Sequence, residues 1–145
     1  MNKIINILLL VVVISACKQE EDYKKVRDEV MIFHDEVMRD NGRIVNNQMK
    51  LDTLLHQLPS LKLQFPEVDT LKEAAAISSL VKELGDAEEL MNDWMHKFEP
   101  DVTGKSNTEA VQYFKSEKAR IAQIDSLYKK EIVASDTYLK KFKMP

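Results

Sequence analysis

Between residues 26 and 58, apolar side chains recur at spacings of three, four or seven: Val26, Val30, Phe33, Val37, Ile44, Leu51, Leu54 and Leu58. That spacing lines one face of an α-helix, and a strand, which alternates at period two, cannot use it. A helix this long needs other helices to cover its stripe, because alone it gains too little to stay ordered. The chain supplies two. Asp69 is an N-cap residue ahead of a second stripe, Leu71, Ala74, Ile77, Val81, Leu84, Met91, Met95 and Phe98, widened by Leu80, Ala87 and Trp94. SNTE at residues 106 to 109 is a capping box and opens a third: Val111, Phe114, Ile121, Ile124, Tyr128, Ile132, Leu139 and Phe142.

The punctuation fits three helices. Pro59 predicts the end of the first, and PSLKLQFP, residues 59 to 66, reads as a connection whose Leu61, Leu63 and Phe65 dock onto the bundle. Pro100 and Gly104 close the second. Asp40 and Asn47 occupy core-type positions of the first stripe beside Asn41 and Gly42, which predicts a kink or loosening there. Helices over 23–58, 69–98 and 107–143 with short connections give an all-α fold. We expect an elongated, coiled-coil-like antiparallel three-helix bundle over 23–145, running up-down-up. With only three glycines, four prolines and 31% charged residues, the remaining faces read as solvated helix surface. A fourth helix from a partner chain would make the protein a subunit of a larger helical assembly.

The N-terminus carries a different signal. Lys3 precedes an apolar run, IINILLLVVVI at residues 4 to 14, too short for a comfortable membrane span of about 20 residues. It ends in Ile14, Ser15, Ala16 and Cys17, which resembles the lipobox of bacterial lipoproteins. The resemblance implies removal of residues 1–16 as a lipoprotein signal peptide and lipid attachment at Cys17, with 17–22 as a tether. Cys17 is the only cysteine, so no intrachain disulfide is available. Cleavage leaves 129 residues with 20 basic against 24 acidic side chains. That mild acidity gives no support to nucleic-acid binding. The expected location is the cell envelope, anchored to the membrane through the lipid. KQEED, residues 18 to 22, resembles short acidic signals that send some lipoproteins to the cell surface. A solvated tether would read the same way, so periplasmic and surface-facing placements both stand.

Methionine and histidine cluster in two stretches, EVMIFHDEVM at 29 to 38 and ELMNDWMHKF at 89 to 98. If the chain turns between Leu58 and Asp69, Met31 faces the level of His96, His34 that of Asp93, and Met38 that of Glu89. A second turn brings Tyr113 and Phe114 to the same end, which also carries the tether. Met31, His34, Met38, Met91, Met95 and His96 thus form a candidate site for soft monovalent copper or silver, with Trp94 able to lie over the cation. The competing reading is packing. Methionines at helical spacing fill core gaps and pack against aromatics such as Phe33 and Trp94, and this reading is preferred.

Other chemistry is poorly represented. Asp93 and His96 stand three apart, as in di-iron bundles, but Met31 and Thr53 occupy the positions where His34 and His56 would need a glutamate. No Gly-rich phosphate loop, nucleophile elbow or H-E-x-x-H occurs, so no enzyme activity and no catalytic residue is expected.

EVMIFHDEVMRDNGRI and MNDWMHKF resemble two blocks of small Bacteroidota envelope lipoproteins labelled "viral A-type inclusion protein". The resemblance covers most of the mature chain and implies a helical-bundle envelope lipoprotein with no established activity. It departs at Asp40, Asn41 and Gly42, where Met-Gly is the expected pattern. The leading expectation is a non-enzymatic bundle acting through contacts with an envelope protein, self-association included.

Overall fold

A computed structural model describes residues 20–142. The segment expected to be a signal peptide, Cys17 with its expected lipid, and the expected end of the third helix at residue 143 lie outside the described residues. Three helices account for the fold, and no strand occurs among the described residues. They are α1 (Tyr23–Gln64), α2 (Thr70–Lys97) and α3 (Asn107–Lys141). At about 1.5 Å per residue, the 42 residues of α1 span about 63 Å. The bundle is a rod.

Each helix starts where local chemistry satisfies its free N–H groups. Asp22 accepts from the Lys24 N–H at 2.9 Å, and Asp69 from the Lys72 N–H at 3.1 Å. The capping box at α3 is complete: Ser106 N–H donates to Glu109 Oε2 at 2.8 Å, and Glu109 N–H returns to Ser106 Oγ at 3.3 Å. Between α2 and α3 a turn closes through Lys105 N–H to the Val102 carbonyl at 3.0 Å. Gly104 takes a φ of 87° there, a conformation that costs glycine little.

Pro59 does not end α1, contrary to expectation; the helix continues to Gln64. Tertiary packing overrides the lost hydrogen bond. Leu58 is buried, and Leu61, one turn on, packs against the core. The true stop is Phe65, whose N–H caps the Leu61 carbonyl at 2.8 Å, while Lys62 Nζ donates to the carbonyls of Pro66 and Val68. α1 is likewise uninterrupted at Asn41 and Gly42, where loosening was expected. The polar residues nearby find partners across the α1–α3 seam. Asn47 Nδ2 donates to Ser135 Oγ at 2.8 Å and Asp136 Oδ1 at 2.7 Å, and the Tyr128 hydroxyl donates to Asn41 Oδ1 at 3.1 Å. Burial pushes that hydroxyl's pKa up to about 12.

Those pairs also fix topology. Lys118 with Glu29, Tyr128 with Asn41 and Ser135 with Asn47 keep a nearly constant offset in number, so α1 and α3 run parallel. Contacts between α1 and α2 run in opposite order, with His34 near Trp94 and Leu58 near Ala74. The up-down-up bundle is as the periodicity predicts, and α3 packs more extensively on α1 than on α2.

Candidate functional site

At the N-terminal end of α1, the three helices contribute one aromatic cluster. Trp94 stacks on Phe98 with centroids 4.7 Å apart, and Phe98 meets Tyr113 at 6.4 Å and Phe114 at 6.2 Å. Tyr23 of α1 stacks on Phe114 at 6.3 Å. The cluster follows from the two reversals of the chain, which bring the last turn of α2 against the first turns of α1 and α3. Asn107 fastens the end, accepting from Tyr23 N–H and donating to the Glu21 carbonyl.

Trp94 carries the polar centre of this end. Its indole N–H donates to Glu117 Oε2 at 2.9 Å, and Arg120 Nη1 donates to Glu117 Oε1 at 2.9 Å. Glu117 is 4% exposed, so its two oxygens are held where water would otherwise be needed. Burial of an unpaired carboxylate costs several kcal/mol, on the order that such pairing offsets. Above this trio a groove of about 520 Å³ runs along the α2–α3 seam. Leu90, Trp94, Ile124 and Leu127 form its apolar surface; Asp93, Lys97, Arg120 and Gln123 form its rim. Lys97 Nζ pairs with Asp93 Oδ2 at 3.0 Å. The rim charges are thus already paired within the chain, and the groove offers apolar surface rather than a free base or nucleophile.

The structure divides the six predicted ligands. His34 does meet α2: its ring lies 6.3 Å from that of Trp94, one residue from the expected level, and its Nδ1 lies 3.0 Å from Asp35 Oδ1. Met31, Met38 and Met95 are partly exposed and His96 is exposed. Met91 is not with them. It is 1% exposed in the hydrophobic core and cannot join a surface site without opening that core. Met31 and Met38 stand two helical turns apart, about 10 Å, on either side of His34. Among the described residues, no three His, Cys, Asp or Glu side chains converge to hold a metal.

Sequence reasoning missed the buried carboxylates. Glu117, Asp125 and Glu131 all lie within the packed faces of α3. Glu131 is paired with Lys130 at 2.8 Å, and Asp125 Oδ2 with Lys129 at 2.7 Å, while Asp125 Oδ1 is buried without a partner. A signal existed for Glu117: it falls three after Phe114 and four before Ile121, so the heptad assigns it to the core.

The fold and groove define an all-α three-helix bundle with an apolar interhelical groove at its Trp94 end. No family model, curated protein or solved structure matches the chain significantly.

Proposed function

We propose that the chain is a lipid-anchored cell-envelope protein, of the kind its two methionine-bearing blocks resemble, which acts through protein contacts and performs no chemistry of its own. The observation that carries this reading is the α2–α3 groove. Leu90 is exposed at its lip with Leu127 half-buried opposite, its rim charges are paired internally, and its size suits side chains of another helix. Support for the anchor comes from Lys3, the apolar run at 4–14 and Cys17. No described helix is long and apolar enough to cross a membrane. Labelled palmitate supplied to cells expressing the full chain is expected to mark the wild type and leave a C17S variant unmarked and outside the membrane fraction. Equal labelling, or membrane retention of C17S, overturns the anchor.

A second reading, soft-metal binding, is favoured by the approach of His34 to Trp94 with Met31, Met38 and Met95 accessible nearby. Met91 is excluded from it by burial. Titration with Cu(I) under reducing conditions compares the wild type with a variant carrying leucine at positions 31, 38 and 95. Equal affinity removes the site; tenfold or weaker binding by the variant would favour it over the contact reading.

A further inference from the structure

We infer that residues 20–22 are strapped onto the start of α3, so that the α2–α3 turn, residues 100–105, rests on the lipid headgroups of the membrane that holds Cys17. This rests on the anchor reading above and names the surface that meets lipid.

The strap is a set of bonds between residues 84 or more positions apart. Thr108 Oγ1 donates to Glu20 Oε1 at 3.0 Å, Asn107 Nδ2 donates to the Glu21 carbonyl at 2.9 Å, and Lys115 pairs with the Glu21 carboxylate. Tyr23 N–H donates to Asn107 Oδ1 at 3.2 Å, which ties the first turn of α1 to the same point. An exposed bond of this kind contributes up to about 1 kcal/mol, and here several act on one short segment.

Chain length then decides where this end of the rod sits. A chain spans at most about 3.6 Å per residue, so an unstrapped tether would let Tyr23 stand about 20 Å from Cys17. With Glu20 held on α3, its reach from Cys17 falls to about 11 Å. A bilayer of about 40 to 45 Å has a hydrocarbon core of about 30 Å, which leaves a headgroup layer of about 5 to 8 Å on each side. The lipid on Cys17 starts at the base of that layer. Glu20 and the start of α3 beside it therefore stand in the headgroups or just above them.

The turn that leads into α3 lies at the same height, and its surface suits headgroups rather than hydrocarbon. A cleft of about 300 Å³ separates it from the first turns of α1, with Tyr23, Arg27, Asp101, Thr103 and Lys105 in its walls. Asp101 is turned back on Thr103, whose backbone N–H and hydroxyl both donate to Oδ1, at 2.9 and 2.6 Å, and Arg27 leans on Asp28 at 3.2 Å. Both signs of charge are present, the complement of a zwitterionic headgroup such as phosphatidylethanolamine. Tyr23 is of the kind that favours the boundary between membrane and water. The reversal after Gln64 lies about 60 Å away, at the far end of α1.

Headgroup quenching tests this with the full, lipidated chain in vesicles of phosphatidylethanolamine with some phosphatidylglycerol. T103C in the turn and E67C at the far end, both exposed positions, are each labelled with a thiol-reactive fluorophore. The quencher is a nitroxide carried on lipid headgroups. The expected quenching at 103 is roughly threefold or more that at 67, because the nitroxides are confined to the headgroup layer. Inserting about twenty Gly and Ser residues between Gln19 and Glu20 adds about 25 Å of reach and should bring quenching at 103 down towards that at 67. N107A with T108A, which cuts the strap and keeps the Ser106 cap, should also lower it. Equal quenching at 103 and 67, or quenching at 103 that neither change lowers, overturns the inference. Cys17 is the only cysteine and should be blocked by its lipid, so the wild type should take no label. Labelling of the wild type overturns the anchor itself, which keeps the two failures apart.

Discussion

Asp125 shows how unevenly the buried charges of α3 are satisfied. One oxygen is bonded to Lys129, and the other is buried without a partner. A desolvated acceptor left unpaired costs about 1 to 3 kcal/mol, more than a bond to a half-exposed lysine returns. Asp125→Ala is therefore expected to stabilise the bundle by about 1 kcal/mol and raise Tm by a few degrees in a thermal melt. A fall in Tm would show that Oδ1 is satisfied in solution. Glu117 is the contrasting case, with both oxygens bonded. Its burial was legible in the heptad, and Arg120 stands one turn on along the same helix, but its indole partner was not legible. Trp94 reaches it from α2, and only the tertiary register of α2 on α3 joins that pair.

At the scale of elements, helix starts were readable and one helix end was not. Asp69 and the Ser106–Glu109 box act within four residues, so their chemistry is complete in the local sequence. In the box, the hydroxyl and backbone N–H of Ser106 hold the Glu109 carboxyl below its usual range. A carboxylate with a lowered folded pKa contributes fully above its unfolded value, and the contribution is lost as pH falls through the folded one. The stability deficit of Glu109→Gln is expected to be present at neutral pH and to close below about pH 4, read from melts across pH. A deficit unchanged with pH would mean the carboxylate charge plays no part. Pro59 behaves otherwise, because the packing of Leu58 and Leu61 holds α1 together across a residue that disfavours it. Pro59→Ala should raise stability by about 1 to 3 kcal/mol in denaturant unfolding. Destabilisation would show that the proline shapes the turn after Gln64.

For the whole molecule, the apolar periods were enough to predict three helices, their order and the end at which Trp94, His34 and Phe114 meet. They were not enough to place the methionines. Met91 and Met95 are four apart and look alike in sequence, yet one is sealed in the core and the other partly exposed. The difference is about 40° of rotation around α2, which depends on where α1 and α3 press against it. The groove was illegible for the same reason, since it records how far apart α2 and α3 stand rather than which residues they carry.

α2 folds back along α1 so that Trp94 lies between His34 and Glu117, and the groove depends on that reversal. Trp94 is the single tryptophan, so its indole resonances can be assigned without ambiguity. Nuclear Overhauser spectra of the folded protein should connect the indole ring to the His34 ring and its N–H proton to the Glu117 side chain. Indole contacts confined to neighbours on α2, such as Phe98, would contradict the fold-back and with it the groove.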